Sequence, residues 1–259
     1  MDNRAIGVYD SGFGGLSVWR ELRKMLPEES LIYLGDGKNC PYGGRSREEI
    51  TSFAVEAVEA LVAEGAKMIV VGCNTATTAA VAYLRERWSD MPIVGLEPAV
   101  KPACLTSRTR RIAVLATEHS LKSDMFLATA ARYASDVEVI KVVGNGFVEL
   151  VEQGLERSVE AEIAVRRVVE PLLDEGIDKI VLGCTHYPFL RPLIEQVIGE
   201  KDIEVIDSGE AVARRVKWLM ERYDIAADGT KHPEYRFLSF ADEEYRQRLE
   251  QCAMHIIEK

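Results

Sequence analysis

VEALVAEGAKMIVVGC (residues 58–73) and VEPLLDEGIDKIVLGC (residues 169–184) decide how this chain is built. The two stretches align without a gap at an offset of 111 residues, and nine of their sixteen positions are identical. At ordinary residue frequencies about one identity is expected. A shorter echo, AIGVYDS at 5–11 against RIAVLAT at 111–117, extends the match upstream. A supersecondary unit has been duplicated.

Each copy reads as alternating strand and helix. In the first, apolar runs at 5–9, 30–34, 68–71 and 93–95 have the length and bounds of buried strands. Ile50, Phe53, Ala54, Ala57, Val58, Leu61 and Val62 recur at helical spacing. Ser46 with Glu49 forms a capping box at that helix's start, and Gly65 stops it. In the second copy, strands are expected at 112–115, 137–141, 179–182 and 203–206. Ala161, Val165, Val168, Val169, Leu172 and Leu173 mark the equivalent helix, with a kink expected at Pro171. From Glu210 on, the pattern predicts an amphipathic helix, a strand near 235–240 and a last helix from Asp242.

Strands separated by helices of this length need crossovers, so the sheets should be mainly parallel. The expected fold is α/β, with two similar domains related by pseudo-two-fold symmetry and an active site in the cleft between them. The domains are placed at 1–98 with 209–259, the tail folding back, and at 99–208.

Composition excludes rather than identifies. Across 259 residues, 32 basic and 42 acidic side chains leave a net charge of -10, which argues against nucleic acid or an anionic membrane as partner. Five cysteines form no CxxC pair, the N-terminus lacks a signal-peptide run, and no stretch approaches the length of a membrane span. A soluble cytoplasmic protein is expected.

In open α/β sheets, ligands bind beyond the carboxyl ends of the strands. There the chain carries Asp10-Ser11-Gly12, then Gly35-Asp36 through Pro41-Tyr42-Gly43, then Cys73-Asn74-Thr75. The second copy carries Thr117 and Cys184-Thr185-His186. Cys73 and Cys184 hold the same place in the two copies. If the copies face each other, their thiols approach one carbon from opposite sides, which suits inversion: one thiolate removes an α-proton and the other thiol returns one. Both cysteines precede expected helix starts at 74–76 and 187–189, whose dipoles favour a thiolate. His186 and Asp10 are the candidate proton partners of Cys184 and Cys73. A buried structural role for any of these residues taken singly, a disulfide, and a metal site on Cys184 and His186 are the competing readings. The disulfide does not suit a reducing compartment, and no completing ligand set for a metal is evident. The DSGFGG loop departs from GxGxxG, and Asp10 would face a pyrophosphate, so a nicotinamide site fits poorly; Ser11 and the backbone amides suit a carboxylate better.

Four motifs in order, DSGFGG at 10–15, GDGKNCPYG at 35–43, VGCNTAT at 71–77 and LGCTHYP at 182–188, resemble the glutamate racemases of the aspartate/glutamate racemase superfamily. The resemblance implies a cofactor-independent, metal-free racemase that interconverts L- and D-glutamate and supplies D-glutamate for bacterial peptidoglycan. It implies Cys73 and Cys184 as the two bases. Asp10, Ser11, Tyr42, Gly43, Asn74, Thr75, Thr185 and His186 fall at substrate positions. Glu152 matches an acidic residue placed near His186. Thr117 and Ser120 match a hydroxyl-bearing segment in which the family often carries Thr at the position of Ser120. Some members respond to a peptidoglycan-precursor activator, and duplicated enzymes of this size often form homodimers; the resemblance leaves both open. Aspartate racemisation, arylmalonate-type decarboxylation and a catalytically silent amino-acid-binding protein are the alternatives.

Overall fold

In the computed structural model, which describes residues 1–257, the matched glycines Gly65 and Gly176 both take the left-handed conformation, with φ of +83° and +70°. Glycine enters this region without a Cβ penalty, so each copy turns from helix to third strand at the same point. At Gly65 the turn is a Schellman motif: Ala66 N–H donates to the Leu61 carbonyl and Gly65 N–H to that of Val62, both at 3.0 Å.

The chain divides into two compact units, Met1–Leu96 with Gly209–Lys259, and Glu97–Ser208. The first begins with β1 (Ile6–Asp10), α1 (Leu16–Met25), β2 (Leu31–Gly35), α2 (Arg47–Ala63), β3 (Met68–Val71), α3 (Asn74–Arg87) and β4 (Ile93–Gly95). The second holds α4 (Val100–Thr106), β5 (Arg111–Ala116), α5 (Glu118–Lys122), α6 (Asp124–Tyr133), β6 (Glu138–Val143), α7 (Phe147–Glu152), α8 (Val159–Val169), β7 (Lys179–Leu182), α9 (Arg191–Ile198) and β8 (Glu204–Ile206). The chain then returns to the first unit with α10 (Gly209–Tyr223), β9 (Tyr235–Ser239) and α11 (Glu243–Ile257).

Every strand pairing is parallel, in the orders β4-β3-β1-β2-β9 and β8-β7-β5-β6. The four duplicated strands keep one order, and β9 adds a fifth beside β2. Trp19 on α1 packs edge-on against Tyr235 of β9. In the second unit the period-two alternation of a strand sorts the core onto two faces. Ile112, Val114 and Ala116 meet α4 and Phe126 of α6, while Ala113 and Leu115 meet α7, α8 and α9. Helices covering both faces explain why the central strands β5 and β7 read as nearly unbroken aliphatic runs, while the edge strands β6 and β8 carry Glu138, Lys141 and Glu204.

The expected kink at Pro171 is a termination instead. α8 stops at Val169, and Glu170–Asp174 continues as a 3-10 turn. Proline lacks the N–H that an α-helix needs, and at the start of a new turn that N–H has no role. The helix start expected at 187–189 is likewise a 3-10 turn, Tyr187–Leu190, and α9 begins only at Arg191.

Candidate active site

In each sheet the strand order reverses between the first and third duplicated strands, β1 and β3 or β5 and β7. Such a switch point opens a crevice at the carboxyl end of an α/β sheet. The same hydrogen bond closes its floor in both units: Gly72 N–H to the Tyr9 carbonyl and Gly183 N–H to the Leu115 carbonyl, each 2.7 Å. Cys73 and Cys184 are the next residues along, both buried.

Cys73 is the N-cap of α3, and its sulfur accepts the Ala76 N–H at 3.4 Å. That hydrogen bond and the amino end of a 14-residue helix both favour the thiolate. Its Sγ also lies 3.6 Å from the Ser11 hydroxyl. Asn74 and Thr75 form the buried first turn of α3, with the Asn74 amide reaching the Leu96 carbonyl at 3.4 Å. The buried Asp10 carboxylate accepts the Gly12 N–H at 2.8 Å, shaping the turn that carries Ser11. Gly15 is tied to this turn by space, since a Cβ there would stand 2.5 Å from that of Asp10.

Tyr42 and Gly43 lie in the irregular loop between β2 and α2. The buried Tyr42 hydroxyl donates to Asp36 at 2.5 Å and lies 2.7 Å from the Tyr9 hydroxyl. Burial, and then the neighbouring Tyr9, push the Tyr42 phenol far above its ordinary value, so it remains a donor.

Cys184 is served differently. Only the short 3-10 turn follows it, so it gains no α-helix dipole. His186 stands in: its Nδ1 lies 3.8 Å from the Cys184 sulfur, and its Nε2 lies 2.6 Å from Glu152 Oε1 at the end of α7. A carboxylate at that distance calls for a proton on Nε2, which leaves Nδ1 bare toward the sulfur and able to take its proton. Tyr187 packs edge-on against Phe147 of α7, joining the segments that carry His186 and Glu152. Thr185 is buried beside them. Thr117 caps α5 and donates to the Ser120 hydroxyl at 3.0 Å, with Ser120 fully buried.

Of the residues singled out in the sequence, contacts therefore join Cys73 to Ser11, Cys184 to His186, His186 to Glu152, and Thr117 to Ser120. Sequence reasoning missed the Tyr9–Tyr42–Asp36 chain. Tyr9 reads as one more apolar strand residue, and the only signal was that a buried phenol needs a polar partner.

Paired small polar loops at two equivalent switch points, each headed by a buried thiol with its own hydrogen-bonding help, define a class of two-thiol α/β enzymes. The chain belongs to the Asp/Glu/Hydantoin racemase family, whose model matches residues 14–216. It is 44% identical over 252 residues to the glutamate racemase of Herpetosiphon aurantiacus, covering 97% of this chain and 98% of that protein. With the glutamate racemase of Ectopseudomonas mendocina it shares 48% over 222 residues, covering 86% and 84%. The structure of glutamate racemase isoform RacE1 from Bacillus anthracis matches with a TM-score of 0.88 at 34% identity, covering 100% of this chain and 96% of that one. Escherichia coli glutamate racemase, in complex with L-glutamate and the activator UDP-MurNAc-ala, matches with a TM-score of 0.87 at 34% identity, covering 98% and 95%.

Proposed function

We propose that this chain interconverts L- and D-glutamate by a two-base mechanism that needs no cofactor. The observation that carries the reading is the pair of buried thiols, Cys73 and Cys184, at equivalent ends of duplicated strands, each with a hydrogen-bonding neighbour. The two relatives compared by sequence, glutamate racemases at 44% and 48% identity, support glutamate as the substrate.

In the forward step one cysteine, as thiolate, takes the α-proton: the Cα–H bond breaks, an S–H bond forms, and the electron pair spreads into the α-carboxylate. The other cysteine, as thiol, gives its proton to the opposite face of the planar carbanion. The product is the enantiomer, and the two sulfurs have exchanged roles. Hydrogen bonds to the substrate's carboxylates from Ser11, the loop at Tyr42 and Gly43, Asn74, Thr75 and Thr185 carry the developing charge. His186, held by Glu152, shuttles the proton of Cys184, and Asp10, whose turn carries Ser11 to the Cys73 sulfur, is the corresponding proton partner of Cys73. Thr117 and Ser120 add two further hydroxyls. D-glutamate made in this way would supply peptidoglycan synthesis in a bacterial cytoplasm.

Purified protein without added cofactor, given L-glutamate and L-aspartate in parallel, should abolish the optical rotation of glutamate far faster than that of aspartate. Cys73→Ala and Cys184→Ala should each stop it. Persistent rotation of glutamate at high enzyme concentration would overturn the activity, and full activity in either variant would overturn the assigned bases. Repeating the assay with UDP-MurNAc-alanine reads out activation, and sedimentation reads out dimer formation.

A further inference from the structure

Tyr42 and Gly43 sit in residues 36–46, a stretch with no helix or strand of its own. Loop amides can hold a carboxylate only if the loop itself is held. Three constraints do so. At its base, Asp36 N–H donates to the Asp10 carbonyl and Gly37 N–H to that of Ser11, both at 3.0 Å. In its middle, the fully buried Asp36 carboxylate accepts the Asn39 amide, 3.0 Å from each oxygen, and the Tyr42 hydroxyl. Beyond that, the Tyr42 hydroxyl meets the Tyr9 hydroxyl of β1. A hydroxyl has one hydrogen. That of Tyr42 goes to Asp36, so Tyr9 must donate to Tyr42. A directed chain, Tyr9 to Tyr42 to Asp36, thus spans from the central strand to the loop.

A carboxylate taken wholly out of water is costly unless its lone pairs are filled. Here all the side-chain donors that fill it, Asn39 and Tyr42, come from the loop it anchors. We propose that Asp36 and Tyr9 are positioning residues: through Tyr42 they clamp the loop whose amides hold a carboxylate of the substrate. The inference deepens the function proposed above and rests on it. Neither residue moves a proton of the reaction. The clamp acts alike on bound substrate and on the transition state, so its loss weakens binding and spares the chemical step.

The test compares wild type, Asp36→Asn and Tyr9→Phe in both directions. Enantiomers have equal free energy in water, so kcat/KM must be the same for L- and D-glutamate in every variant. The information lies in how its fall divides between KM and kcat. Loss of one hydrogen bond in the chain should raise KM about tenfold in both directions, with kcat changed by less than about threefold. The pH dependence of kcat/KM should keep its shape. Tyr9→Phe keeps the ring and removes one hydroxyl, so it tests the clamp even if Asp36→Asn folds poorly. Unchanged KM in Tyr9→Phe, a fall confined to kcat, or a displaced pH profile would each overturn the clamp. A wild type that does not racemise glutamate would instead overturn the underlying function, and the control separates the two failures.

Discussion

The two thiols are prepared by different means. Cys73 draws on a helix amino end and the Ala76 N–H, whereas Cys184 relies on an imidazole oriented by Glu152. Replacing Glu152 with Gln keeps an acceptor for Nε2–H but removes the charge that stabilises the imidazolium. A charge-assisted hydrogen bond exceeds a neutral one by roughly 1–2 kcal/mol, so kcat/KM should drop about tenfold, equally for both enantiomers. Steady-state rates measured in the two directions check this, and an unchanged kcat/KM would show that Glu152 does not act through His186. The cysteines were legible in sequence because the repeat put them in register. The Glu152–His186 contact was not: the residues are 34 positions apart, and no local pattern links an acid on one helix to a loop histidine. Only the family resemblance pointed to it.

At the scale of elements, the strands were the legible part. All eight duplicated strands form within one or two residues of their apolar runs, most plainly β1, β2, β3 and β7, where burial on both faces leaves no polar alternation to blur. α2 was legible too, with its capping box of Ser46 and Glu49 present in full. α1 was not, because its N-cap is Gly15, which offers no side-chain cap, and its first turn carries no acid. α5 and α6 escaped notice because Ser123 ends one and caps the next, splitting their pattern into short pieces. The duplicated strand ends also differ in slack. A Cβ on Gly183 would stand 2.9 Å from that of Ala116 and 3.1 Å from the Leu115 carbonyl, whereas on Gly72 the nearest atom is 3.3 Å away. Gly183→Ala should therefore cost about 1–3 kcal/mol and Gly72→Ala clearly less, as read from denaturant midpoints. Equal costs would mean that the second unit's switch point can relax.

Across the whole molecule, one repeat position anchors each unit with a buried charge of opposite sign. Lys67, just before β3, donates to Glu29 and to the Asp2 carbonyl, both at 2.6 Å, and Glu29 in turn accepts the Ala227 N–H of the returning tail. Asp178, its equivalent before β7, accepts from the Ser107 hydroxyl and the Arg108 N–H at 2.7 and 2.5 Å. In both units the start of the third strand is fastened to the segment leading into the first. Lys67→Met should cost about 3–5 kcal/mol by stranding Glu29, and adding Glu29→Gln should recover part of it. Thermal unfolding of the single and double variants decides whether the two residues act as a pair.

Asp178 makes a pH prediction. Burial works to raise its pKa, but the hydrogen bonds from Arg108, Ser107 and Thr109 outweigh it and hold the group below its ordinary 3.8. A depressed folded value means that its stabilisation is complete above the unfolded pKa and lost as pH falls through the folded one. The stability gap between wild type and Asp178→Asn should thus be widest at neutral pH and close below about pH 4. A gap independent of pH would contradict the ionised form.

The central claim is the proposed two-base mechanism, in which two thiols work on opposite faces of one carbon. It is tested most directly by following L-glutamate in deuterated water at low conversion. A thiol exchanges its single proton with solvent, so the donor cysteine carries deuterium while the acceptor takes protium. The D-glutamate first formed should carry deuterium at Cα, and the remaining L-glutamate should still carry protium. D-glutamate that retains the substrate's own α-proton, or deuterium appearing equally early in both enantiomers, would contradict the two-base account.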